Sequence, residues 1–86
     1  MIPTTIGEDL YCEYASIDSL LITVRVDSSL QYMNTRIVNT STYKEATPSE
    51  HTDLRMAVKL WADSEFKHTM FLQHYLLKMG FGSDQL

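Results

Sequence analysis

The run Thr47-Pro48-Ser49-Glu50-His51-Thr52-Asp53-Leu54 separates two halves of different periodicity, and its reading decides the fold. Thr47 is placed to accept a hydrogen bond from the Glu50 amide, and the Glu50 carboxylate to reach back, as in a capping box. Pro48 falls at the first helical position, where its missing N–H costs nothing. Glu50 and Asp53 add negative charge to the first turn, which the helix dipole favours. A helix is therefore expected to begin at Thr47. Its far end is marked as well: Lys78 lies in the last turn, Gly80 suits the left-handed closing position, and Phe81 falls where a hydrophobic contact back to Leu76 belongs.

About 32 residues lie between these ends, which as one straight helix would run roughly 48 Å. A globule of this chain length is only about 30 Å across. The conflict predicts either a projecting helix or a break, and a break at Ala62-Asp63-Ser64-Glu65 is favoured because Asp63 or Ser64 can cap a second helix. The apolar stripe also slips there. Leu54, Val58 and Trp61 line one face, whereas Phe66, Met70 and Leu77 begin another, with Gln73 in the gap.

Upstream of Thr47 the period is two. Leu20, Ile22, Val24 and Val26 alternate with Leu21, Thr23, Arg25 and Asp27, the pattern of a half-buried strand. Asp27-Ser28-Ser29 reads as a turn. Leu30 to Asn39 follows as a second strand, with Met33, Thr35 and Ile37 on one face and Tyr32, Asn34 and Arg36 on the other. Residues 10–15 supply a third strand, because two alone are marginal in water. The expected fold is α+β: a small antiparallel sheet of about three strands, then one long or two shorter C-terminal helices packed on one face. It forms a single domain, residues 1–86, mainly β over 1–46 and helical over 47–81.

Bulk composition is that of an ordinary globule, with 86 residues, 44% hydrophobic and 21% charged. No apolar run approaches a membrane span, since Lys59, Gln73, His74 and Lys78 interrupt the longest ones. The first ten residues carry no secretory pattern, and Cys12 is the only cysteine, so a cytoplasmic setting is expected. The formal charge is −4, and it belongs wholly to the first third. There Glu8, Asp9, Glu13, Asp18 and Asp27 stand against Arg25 alone, while residues 29–86 balance.

Candidate chemistry is sparse. His68 and His74 lack the i, i+4 spacing of helix-borne zinc pairs. Glu65 and His68 match half of a carboxylate-bridged di-iron site, but no second copy of the motif exists. Cys12 lies between acidic residues, which disfavour a thiolate, and reads as a small core hydrophobe. No Gly-x-Ser-x-Gly turn or phosphate loop occurs. No catalytic residue, metal or cofactor is expected, and the chain is read as non-enzymatic. Arg25, Arg36 and Tyr32 would share the open sheet face like a small single-strand platform. The acidic balance opposes that reading, because phosphate neutralisation supplies most nucleic-acid affinity.

Met70 to Met79 is apolar on nearly every side. With Trp61 upstream it exceeds what a small sheet can cover. Trp61, Phe66, Met70, Phe71, Tyr75 and Met79 are therefore expected to form an interface. The function expected is protein binding without catalysis, as an adaptor or as a small acidic stoichiometric inhibitor of a larger assembly. The alternative is a homo-oligomeric structural or regulatory subunit, most simply a homodimer, joined through its C-terminal helices; a weak single-stranded nucleic-acid binder is third. In size, acidity and sheet-then-helix layout the chain resembles small phage-encoded inhibitors such as the anti-CRISPR proteins. Those proteins share no common sequence, so the resemblance covers layout and carries no residue across. It implies that the acidic N-terminal third occupies a basic, nucleic-acid-binding surface on a larger target, with Glu8, Asp9, Glu13, Asp18 and Asp27 steering association.

Overall fold

The chain's structure, a computed structural model, describes residues 11–82 apart from Ser28 and Leu30. Four antiparallel strands form one meander in the order β1-β2-β3-β4: Tyr11–Ile17, Leu20–Val26, Tyr32–Asn39 and Lys44–Glu45. Three helices follow: α1 Thr52–Ala62, α2 Phe66–Thr69 and α3 Leu72–Lys78. The α+β layout matches the sequence pattern, with one more strand and one more helix than expected.

β2 is the centre of the molecule because its alternation is strict. Ile22, Val24 and Val26 are fully buried under the helices, while Leu21, Thr23 and Arg25 occupy the uncovered face. β1 joins β2 through the two-residue turn Asp18-Ser19, with Ile17 opposite Leu20. Asp18 takes the left-handed conformation there (φ 54°), which aspartate tolerates better than most side chains. At the other end of β2, the Asp27 carboxylate accepts hydrogen bonds from the amides of Ser29 (2.8 Å) and Gln31 (2.9 Å). That is the turn expected at Asp27-Ser28-Ser29.

The register shifts just before Val26. Val26 pairs with Tyr32 and Arg25 with Asn34, which leaves Met33 as an extra residue in β3. A bulge of this kind resets the side-chain alternation. Tyr32 consequently leaves the open face on which alternation had placed it beside Asn34 and Arg36. It packs against the core on the helix side, its hydroxyl 2.9 Å from Thr35 Oγ1 and its ring 5.5 Å from Lys59 Nζ. The expected platform of Tyr32 with Arg25 and Arg36 is not formed, and Arg36 pairs with Glu45 of β4 at 3.2 Å.

The helical half begins later than Thr47. The Glu50 carboxylate does reach back to the Thr47 amide (2.6 Å) and hydroxyl (3.1 Å), as the capping box predicts. Residues 48–50, however, only form a turn, and α1 starts at Thr52 after His51, whose φ is 54°. Arg55 explains why the turn is held. Its guanidinium donates to the carbonyl oxygens of Glu50, Thr35, Ala46 and Thr47 at 2.8–3.1 Å, fastening the β4–α1 connection to β3. The bond to Thr35 also covers part of the outer edge of β3.

The break after α1 falls where expected, and Ser64 makes it. Its hydroxyl donates to the Trp61 carbonyl (2.9 Å) and accepts from the Phe66 amide (3.0 Å). Lys67 Nζ takes the Ala62 carbonyl at 2.5 Å. A second break, not expected, lies at Met70-Phe71, where both residues are extended. The far end closes as predicted: Gly80 is left-handed (φ 101°), the Phe81 amide donates to Leu76 O and the Gly80 amide to Leu77 O, both at 3.1 Å. Two breaks fold the helical run into a body of 36 × 29 × 24 Å, so the projecting helix is excluded.

Arg55→Lys replaces a planar fork of donors with a single ammonium, leaving carbonyls without partners. A loss of about 1.5–3 kcal/mol is expected in urea denaturation. The Glu50 carboxyl is held below its ordinary range, first by the Thr47 amide and then by the Thr47 hydroxyl. A depressed carboxyl stabilises the fold above its unfolded value, about 4.3, and the contribution fades as pH falls through the folded value. Glu50→Gln should therefore lower stability at neutral pH and show a shallower acid loss than the wild type.

Candidate functional site

The helical surface is sorted by burial on a simple rule. α1 and α3 bury their i, i+3, i+4 positions: Leu54, Ala57, Val58, Trp61 and Ala62 from α1, and Leu72, Tyr75 and Leu76 from α3, while α2 buries none. Trp61 is wholly buried, so it belongs to the core and not to an outer interface, and Tyr75, 6% exposed, is largely buried as well. The break at Met70-Phe71 is what permits this. It rotates α3 so that Leu72 and Leu76 point inward while Phe71 is left 75% exposed at the helix entry. On an unbroken helix all these residues could not be satisfied together.

Breaking a helix frees a carbonyl, and here its partner comes from the core. The Trp61 indole N–H donates to Met70 O at 2.7 Å. A buried indole requires such an acceptor, and Met70, extended at φ −146°, supplies one. The interaction holds α2 and α3 at a fixed corner. In that corner lies a groove of about 480 Å³ lined by Phe66, Met70, Tyr75, Lys78 and Met79. The Phe66 and Tyr75 rings meet at 5.4 Å between centroids, tilted by 31°. Four of the six residues expected at an interface thus line one groove, with Phe66 47% and Met79 54% exposed. Lys78 gives the groove a basic rim. Met56 and Leu60, exposed on the outer side of α1, were not anticipated. Their i, i+4 spacing was available in the sequence and was masked by the richer stripe through Trp61.

No protein-family model, curated protein or solved structure matches the chain.

Asp18 and Asp27 sit at opposite ends of β2, whose seven residues span roughly 20 Å. Asp27 is engaged in its own turn. Glu13 pairs with Val24 through its place in β1; its side chain, that of Cys12, and all of Glu8 and Asp9 lie outside the described residues. Among the described residues, no three His, Cys, Asp or Glu side chains converge as a metal site. His51, His68 and His74 are exposed. No described helix is long and apolar enough to cross a membrane.

Trp61→Phe keeps the buried ring but strands the Met70 carbonyl. It should cost about 1–3 kcal/mol. Amide exchange should accelerate selectively over residues 66–72, because the corner depends on that bond. A uniform change along the whole chain would show that the indole does not position the corner.

Proposed function

We propose that this chain is a non-enzymatic protein-binding module that engages a larger partner through the α2–α3 corner. One observation carries the reading. The core is already complete with Trp61 and Tyr75 inside, yet Phe66, Met70 and Met79 border an open groove, and Phe71, next in the chain after Met70, is three-quarters exposed (75%). Aromatic and methionine side chains are the types enriched in interface cores, and Met adapts its shape to a partner's side chain. An apolar anchor of the partner fills the groove. A basic surface on the same partner meets the acidic first third of the chain, and the module acts by occupying that surface in stoichiometric fashion. Net charge of this kind governs how fast such complexes form.

The test uses the immobilised chain beside a Phe71→Glu/Met79→Glu variant that keeps its circular dichroism. A protein retained by the wild type and not by the variant, binding one to one by calorimetry, is the expected result. Its affinity should fall by about 30-fold or more, since central apolar anchors contribute about 2 kcal/mol or more. Equal retention by both chains would sink the reading. A dimer seen by light scattering for the wild type alone would reassign the corner to self-association.

A further inference from the structure

The main chain along the groove at the α2–α3 corner is already engaged. The Met70 amide donates to Phe66 O at 2.6 Å, and Met70 O accepts from the Trp61 indole at 2.7 Å. The Tyr75 and Met79 amides donate to Phe71 O and Tyr75 O, both at 2.9 Å. An extended segment laid here would set its own amides and carbonyls against the side chains of Phe66, Met70 and Met79. Desolvating polar groups without partners is costly. A helix arrives with its backbone hydrogen bonds made within itself. Phe66 and Met70 stand four apart in sequence, as do Tyr75 and Met79, and together they border about 480 Å³. That is room for two apolar side chains from one face of a helix, which at i and i+4 lie about 5–6 Å from each other.

The charge of the corner is one-sided. From Phe66 to Gly82 the chain carries Lys67, His68, His74 and Lys78 and no carboxylate, although the whole protein stands at −4. The Lys67 ammonium is fixed on Ala62 O at 2.5 Å. Lys78 lines the groove, is exposed, and makes no ion pair among the described residues. Of the carboxylates just before α2, Asp63 is paired with Lys59 at 2.7 Å, and Glu65 does not line the groove.

We infer that the partner segment seated in this groove is a short amphipathic helix, with two apolar side chains at i and i+4 and a neighbouring carboxylate that pairs with Lys78. The inference rests on the protein-binding reading and names the part of the partner that enters the corner. The basic surface that meets the acidic first third is a separate part of the same partner. A helix seated by its apolar face in a groove is a recurring mode of peptide recognition. A chain of net charge −4 attracts basic ligands in general, so a preference for an acidic one at this groove can arise only from the corner's own charges.

Two blocked helical peptides of Ala and Gln, about eighteen residues long, test the inference. Both carry Leu at two positions four apart; one has three Glu around them and its twin three Lys. Titrated into the full chain at neutral pH and low salt, the acidic peptide should bind with a Kd below about 1 mM and shift the Met70 and Met79 methyl resonances. The basic twin should bind about fivefold more weakly or worse, the scale of one or two exposed ion pairs. Lys78→Glu, a change at an exposed position, should reverse that order. A proline at the centre of the acidic peptide, which breaks its helix, should weaken binding about tenfold. No binding of the acidic peptide, equal binding of the twins, an acidic preference that survives Lys78→Glu, or undiminished binding of the proline peptide would each overturn the inference. The protein-binding reading is tested apart, by retention of a partner on the Phe71→Glu/Met79→Glu variant. A partner lost with that variant while the twins bind alike overturns the helix-and-charge inference and leaves the reading standing; equal retention sinks the reading whatever the peptides do.

Discussion

The hydrogen bond from the buried Trp61 indole to the Met70 carbonyl is the interaction on which the helical half depends. A tryptophan at the centre of the core brings its ring for packing and an N–H that must be answered. An intact helix has no spare carbonyl to offer at that point. By extending Met70, the chain frees one, and the same step turns α3 so that Leu72, Tyr75 and Leu76 face the sheet. Core completion and surface creation are one event. Phe71 becomes exposed because Leu72 becomes buried.

The sheet depends on side chains that substitute for missing backbone partners. Arg55 covers carbonyls along the β3 edge and in the connection to α1, and Gln73 covers Ser16 on β1. Both reach from helices, so the layer packed on the sheet also manages its edges, a recurring requirement for small open sheets. This dual use suits a chain with only two layers.

Function follows from what the core leaves over. The apolar excess of Met70 to Met79, read along the sequence, is larger than the excess the structure retains: Tyr75 and Trp61 were needed inside. What remains is a compact groove and not an all-round apolar helix. Of the acidic residues of the first third, Asp18 and Asp27 stand at opposite ends of β2.

Strict alternation in Leu20 to Val26, the Asp27 turn, the Ser64 break and the Gly80–Phe81 closure were all legible in the sequence, because each is set by residues within a turn or two of one another. Three features were not. The bulge at Met33 moves Tyr32 across the sheet because Val26 and Tyr32 pack together under Lys59. The late start of α1 follows from Arg55, which reaches one carbonyl twenty residues away on β3 and three in the connection before the helix. The break at Met70 answers an indole nine residues upstream. Local hydrogen bonding and periodicity determined the α+β class and most element ends. Only the tertiary structure decided which apolar residues of the helical run lie inside and which form the groove, because that choice depended on satisfying buried polar groups whose partners are distant in the chain.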